Sequence, residues 1–94
     1  MNGRTLVARN VRRIRVKKGI SQERLAFDSG IDRSYLGGVE RETENPTVDL
    51  LDRLAGTLEV PLAELFSEAG RQERRSAGLK RGRRRVRPAR SPGA

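Results

Sequence analysis

Apolar side chains recur at helical spacing along residues 5–66, and the runs are separated by residues that cap or end helices. In the first run they fall at i, i+4 and i+7 between arginines, which predicts an amphipathic helix over about residues 5–18. Its inward stripe is Val7, Val11 and Ile14. Gly19 supplies the left-handed residue that closes this helix.

Two shorter helices follow. Ser21 is a favourable N-cap, with Glu23 in the first turn behind it, and Gly30 ends the second helix. Asp32 caps a third helix, which runs to about residue 41. The inward residues are Leu25, Ala26 and Phe27 in the second helix, and Tyr35, Leu36 and Val39 in the third.

The pattern continues through two more helices. Thr47, after Pro46, caps a fourth helix, and Val60-Pro61 begins a short fifth. Their apolar residues are Leu50, Leu51, Leu54 and Leu58 in the fourth, and Leu62, Leu65 and Phe66 in the fifth. With no strand pattern, the sequence predicts an all-α fold, a compact five-helix domain over residues 1–70.

Residues 22–41 have the residue types of a helix-turn-helix unit. Ala26 is small where two crossing helices approach closely, and Gly30 lies where the chain reverses. The wedge that sets the crossing angle is Ile31, Leu36 and Val39. Such a unit holds its second helix, here about residues 32–41, outward for the major groove of DNA.

The composition changes after residue 70. Residues 71–94 combine Arg, Gly, Ser and Pro without an apolar period, so we expect a tail that is disordered when free. The tail holds ten basic groups and one acid, Glu73, and so accounts for the whole net charge of +9 of the 94 residues. It is expected to bind phosphate without reading sequence; the alternative is a solubilising extension.

Residues 1–70 balance eleven basic against eleven acidic groups, but unevenly. Residues 1–18 carry seven basic groups and no acid, whereas residues 42–70 carry seven acids and one base. A domain with one basic and one acidic end fits DNA binding through a single face.

The chain has no Cys and no His, which excludes thiolate and imidazole catalysis, zinc fingers and disulfides. The carboxylates that crowd together, at Glu40, Glu42, Glu44, Asp49 and Asp52, have the pattern of surface charge. No phosphate-cradling glycine loop is present. We therefore expect that the chain is not an enzyme and that it binds neither a metal ion nor a cofactor.

No apolar run reaches the length of a membrane span or resembles a signal-peptide core. The Arg-rich, amphipathic start is similar to a transit peptide, but it continues directly into a helix with a packing role. The expected location is a bacterial-type cytoplasm, at the nucleoid when DNA is bound, and no membrane partner is expected.

Many positions in one register resemble the lambda-repressor/Cro-like helix-turn-helix family, also called xenobiotic-response-element regulators. The matching residues are Gly19-Ile20-Ser21-Gln22-Glu23, Leu25-Ala26, Gly30-Ile31, Tyr35-Leu36, Val39-Glu40-Arg41 and Asn45-Pro46, followed by VDLLDRLAGTLEVPLAELF. The resemblance covers residues 5–66, about two-thirds of the chain.

The resemblance implies roles for individual residues. Gln22 contacts DNA at the groove edge and braces the recognition helix, while Arg33 and Ser34 meet base edges. Gly37 and Gly38 face the groove, and an Arg15–Glu40 pair ties the first helix to the recognition helix. The implied DNA-binding set is Arg15, Ser21, Gln22, Arg33, Ser34, Gly37, Gly38, Arg41 and Asn45, of which Arg41 and Asn45 contact phosphate. The alternative for these side chains is solvated surface. Tyr35 is expected to pack in the domain, with phosphate contact as its alternative.

Two features depart from the family pattern. Glu42 stands where the family commonly has Gly, and if that backbone is left-handed, Glu is strained there. With Glu44 it places negative charge close to the expected DNA backbone. Gly37-Gly38 either lets the helix lie deep in the groove or softens it locally, since each Gly lowers helix stability by about 1 kcal/mol relative to Ala.

The sequence thus predicts a transcription regulator, and specifically a repressor, that binds a palindromic operator in double-stranded DNA as a homodimer. Paired recognition helices lie about 34 Å apart in such dimers. The candidate dimer residues are Leu58, Val60, Pro61, Leu65 and Phe66, unless these only close the monomer core. The alternatives are an antitoxin-like module with an unknown protein partner and autoregulatory DNA binding, and a tail-driven, non-specific nucleic-acid-binding protein.

Overall fold

The computed structural model describes residues 2–68. They form α1 (Gly3–Lys17), α2 (Gln22–Ser29), α3 (Arg33–Glu40), α4 (Val48–Leu58) and a 3₁₀ helix (Leu62–Phe66). No strand occurs in this range, and the all-α prediction is confirmed. The predicted fifth helix is a five-residue 3₁₀ helix rather than an α-helix. The basic tail predicted for residues 71–94 lies outside the described residues.

Local sequence signals define the helix ends. Ser21, Asp32 and Thr47 each accept a hydrogen bond from the amide three residues on, at 2.9, 3.1 and 3.1 Å. Gly19 and Gly30 have the left-handed φ values of 72° and 71° that close α1 and α2. These caps and stops were predicted. The cap of α1 was not: Asn2 accepts from the amide of Thr5 at 2.9 Å, and the helix begins at residue 3.

One apolar core joins all five elements. Its fully buried leucines are Leu25, Leu36, Leu54, Leu58 and Leu65, with Val11 and Val39 beside them. The inward position predicted for Phe27 is wrong, since this residue is 80% exposed. Leu25, Ala26 and Ser29 already fill the inner face of α2, and Phe27 lies about 100° further round the helix than Ala26.

Asn10 ties the 3₁₀ helix to α1. This residue is only 2% exposed, and its Nδ2 donates to the carbonyl oxygens of Leu65 and Ser67 at 3.0 and 2.7 Å. Its Oδ1 accepts from Nη2 of Arg13 at 3.0 Å, and the same nitrogen lies 3.3 Å from a carboxylate oxygen of Glu64. The last element is therefore held to α1 by polar contacts as well as by Leu65.

Candidate nucleic-acid interface

The turn between α2 and α3 presents α3 at the surface. The amide of Ile31 donates to the carbonyl oxygen of Ala26 at 2.9 Å, and Ile31 is 8% exposed, so the turn is anchored in the core. Leu36 and Val39 bury one side of α3 against α1 and α2. Within α3 it is the first turn, Arg33 and Ser34, that is left facing solvent.

A polar network joins α1, α2 and the end of α3. Nε and Nη2 of Arg15 donate to the two carboxylate oxygens of Glu40 at 2.8 and 3.0 Å, which is the pair that the family resemblance implied. Nη1 of Arg15 donates to the carbonyl oxygen of Ile20 at 3.0 Å. Nε2 of Gln22 donates to Oε1 of Glu40 at 3.2 Å. The side chains of Arg15 and Glu40 are only 13% and 5% exposed, so this network braces the scaffold.

Arg33 and Ser34 occupy the first turn of α3, directly after the Asp32 cap, and both are exposed. Neither side chain makes a hydrogen bond or ion pair within residues 2–68. They are available to a ligand that approaches this face. Tyr35 is half-buried against the core, in agreement with the expected packing role.

The two glycines of α3 have different surroundings. A Cβ atom built at Gly37 would lie 3.0 Å from Nη1 of Arg41 and 3.5 Å from Oε1 of Gln22, so Gly37 is covered by two side chains of the candidate interface. At Gly38 it would lie 2.5 Å from Cγ of Glu44 and 3.1 Å from Oγ1 of Thr43. The groove-facing role implied for Gly38 is therefore wrong: the residue is buried because the loop after α3 packs on it.

The remaining predicted contacts lie around this face. Arg41 is the exposed C-cap of α3, and Asn45 is exposed in the loop that follows. The Ser21 hydroxyl is engaged as a helix cap. Arg15 is committed to Glu40 and Ile20, so it supports the interface from within rather than lying in it.

Glu42 has the left-handed backbone at which glycine is favoured, with φ 68°. Its carboxylate accepts a hydrogen bond from the Thr5 hydroxyl at 2.7 Å, which fixes the side chain near the start of α1. Glu44 is held over Gly38. Two carboxylates therefore flank the end of α3. A second left-handed residue, Glu59 at φ 61°, closes α4 and was not predicted.

The candidate dimer residues divide into two groups. Leu58 and Leu65 have no exposed surface, because both point into the monomer core, and their assignment to an interface is wrong. Phe66 is 43% exposed, Pro61 is exposed and Val60 is half-buried. These three residues each keep apolar surface that the monomer does not bury.

Residues 2–68 offer neither of two other kinds of site, a metal centre or a membrane span. No group of three or more acidic side chains in this range could hold a metal ion. No helix in it is long and apolar enough to cross a membrane.

Comparisons with known proteins identify similar sequences. A family model described as helix-turn-helix matches residues 11–65. The HTH-type transcriptional regulator SlrR of Bacillus subtilis is 44% identical over 62 residues, which is 65% of this chain and 41% of SlrR. Control protein C.SmaI of Serratia marcescens is 39% identical over 70 residues, 74% of this chain and 83% of that protein. The chain thus spans less than half of SlrR and most of C.SmaI.

Solved structures have the same fold. The hypothetical transcription factor NHTF from Neisseria gives a TM-score of 0.71 at 34% identity, covering 78% of this chain and 84% of that one. The restriction-modification controller protein C.Esp1396I, solved as a tetramer in complex with its natural 35 base-pair operator, gives 0.64 at 35% identity. That match covers 70% of this chain and 87% of the controller.

Proposed function

The chain belongs to this helix-turn-helix family, whose matched relatives are named as transcription regulators and not as enzymes, and we propose that it binds a two-fold symmetric operator as a homodimer and represses transcription. In the proposed complex α3 enters the major groove of double-stranded DNA, and two copies present their α3 helices about 34 Å apart on one face.

The observation that carries this proposal is the exposed first turn of α3 on a braced scaffold. Arg33 follows the Asp32 cap directly and has no partner within residues 2–68. A guanidinium can donate two hydrogen bonds to O6 and N7 of guanine, which discriminates that base by about 1–3 kcal/mol. Ser34 beside it can meet a base or a phosphate, and Gln22 stands at the groove edge.

The charge distribution is uneven along the chain. Basic groups crowd α1, whereas residues 42–68 carry seven acids and one base, and one of these acids, Glu64, pairs with Arg13 of α1. Glu42 and Glu44 oppose phosphate contact by the loop after α3, so the affinity contributed by that loop is small. Much of the affinity therefore comes from α1 and from the basic residues 71–94, a term that falls steeply with salt.

The surface of Val60, Pro61 and Phe66 supports dimerisation. Aromatic side chains such as that of Phe66, which is 43% exposed, are enriched at the centre of interfaces. Phe66→Lys should reduce the dimer to monomer in sedimentation at low concentration without unfolding the domain. Dimers of unchanged stability would exclude this surface, and Val48→Lys is a matched control, because Val48 is exposed at the start of α4.

Selection of bound sites from random duplex DNA by the full chain tests the proposed function. The expected result is one motif with two-fold symmetry, whose half-sites lie about one helical turn apart. Recovery of no motif would reject sequence-specific binding. For the repressor role, a reporter placed behind the selected site should be transcribed less when the protein is expressed, and increased transcription would contradict it.

A tail-driven, non-specific binder is the second candidate, because the whole net charge lies on residues 71–94. Deletion of these residues should weaken binding but leave the selected motif unchanged if α3 reads the DNA. If the tail drives binding, deletion abolishes it.

A further inference from the structure

We propose that Arg41 is a base-reading residue. The bare backbone surface at Gly37, called the seat below, holds the guanidinium of Arg41 in the major groove. The inference rests on the proposed function, since it concerns the same face of α3. It assigns Arg41 a role different from the phosphate contact that the family resemblance implied.

The three positions Arg33, Gly37 and Arg41 form one stripe along α3. They are four residues apart, so each lies only about 40° round the helix from the last. The middle position has no side chain, yet Gly37 is buried. What buries it is the end of Arg41: Nη1 would stand 3.0 Å and Cζ 3.9 Å from a Cβ atom built there.

The Arg41 side chain therefore folds back along α3 instead of extending beyond it. Side chains on helices lean towards the N-terminus, which brings i+4 over i. The guanidinium consequently occupies the space that a side chain at residue 37 would fill in most helices.

Gln22 lines the other side of the seat. Its Nε2 is held by Glu40 at 3.2 Å, and its Oε1 would lie 3.5 Å from the same Cβ atom built at Gly37. Because Glu40 is fixed by Arg15 and holds Nε2 of Gln22, the acceptor oxygen of the amide lies over the seat. The seat thus combines a bare backbone surface with an oriented acceptor, and Arg41 itself remains exposed.

The chemistry of the target follows from the guanidinium donors of Arg41. A guanidinium in the major groove matches O6 and N7 of guanine. Arg33 and the seat at Gly37 are four residues apart, which is about 6 Å along the helix axis. The guanine read by Arg41 should therefore belong to a different base pair from the one read by Arg33.

Two variants of the full chain test the assignment by site selection. Arg41→Ala removes the guanidinium. Gly37→Val keeps every charge but fills the seat, and valine is a better helix former than glycine, so α3 is retained. Each variant should lose the preference for one guanine per half-site, a change of about tenfold or more, and keep the guanine that depends on Arg33.

The outcomes separate the two roles of Arg41. If Arg41→Ala weakens binding equally on all sequences and lowers the salt dependence by about one phosphate contact, the assignment is overturned. A motif that Gly37→Val leaves intact overturns the role of the seat. A wild-type chain that selects no motif rejects the proposed function itself, and this inference with it. Circular dichroism of both variants confirms that the helices are intact.

Discussion

Arg15→Ala is expected to destabilise the domain strongly, because it breaks the tie between α1 and the end of α3. Arg15 bonds both oxygens of Glu40 at 2.8 and 3.0 Å and the carbonyl oxygen of Ile20 at 3.0 Å. The Glu40 side chain is 5% exposed. Alanine would leave this carboxylate charged and buried, with only the weaker bond from Gln22 among the described residues.

The magnitude follows from burial. Removing one member of a buried ion pair lowers stability by about 3–5 kcal/mol. Arg15 retains 13% exposure, so water can partly solvate the site, and we expect the lower end, about 3 kcal/mol. A domain of this size has a total stability of about 3–10 kcal/mol. Since each kcal/mol of lost stability lowers the Tm by about 4–8 °C, the Tm should fall by about 12–24 °C.

A second ion pair of the same length provides the control. Nε of Arg24 lies 2.8 Å from a carboxylate oxygen of Asp28, but these side chains are 68% and 37% exposed. Surface pairs contribute about 0.5 kcal/mol, so Arg24→Ala should change little. Urea unfolding followed by far-UV circular dichroism measures both variants. Equal losses for Arg15→Ala and Arg24→Ala would refute the argument from burial.

Three further predictions concern single positions. Asn10→Ala should lower the free energy of unfolding by about 2 kcal/mol, because the carbonyls of Leu65 and Ser67 lose a buried donor; a loss below about 0.5 kcal/mol would contradict this. Glu42→Gly should raise the free energy of unfolding by about 0.5 kcal/mol, because relief of the backbone strain at φ 68° exceeds the loss of the hydrogen bond from Thr5. Glu42→Gln should not raise it, and equal effects of the two variants would exclude backbone strain. Phe27→Gln should change the free energy of unfolding by less than about 0.5 kcal/mol, because this side chain is 80% exposed. A loss of about 3 kcal/mol, as for a phenylalanine in a core, would show that the ring is buried.

The sequence predicted what local rules determine. The caps at Ser21, Asp32 and Thr47 and the left-handed glycines Gly19 and Gly30 depend on residues within a single turn, and each lies where it was expected. The leucine stripes likewise define the core. Phe27 was misplaced because an eight-residue helix has too few turns for the pattern to separate its inner face from the position beside it.

The rest depends on contacts between distant residues. Asn10 meets partners 55 and 57 positions away, and nothing in its own neighbourhood distinguishes it from a surface residue. The burial of Gly38 comes from a loop that leaves the helix and folds back. Leu58 and Leu65 could not be assigned to core or interface until the packing of the 3₁₀ helix was known. At the interface, the family resemblance gave Arg15–Glu40 correctly but could not show where the Arg41 guanidinium lies.

The most direct test of the central claim is the affinity of Arg33→Ala for two duplexes of equal length at one salt concentration, one with the selected site and one unrelated. If α3 reads bases, the variant should lose about 10–100-fold on the selected site and little on the unrelated duplex. The control Arg53→Ala removes the same charge from α4, together with one exposed hydrogen bond from Nη1 to the carbonyl oxygen of Gly30 at 3.3 Å, and should not change the ratio of the two affinities. An equal loss of Arg33→Ala affinity for both duplexes would mean that this residue contacts only phosphate, and would contradict recognition through α3.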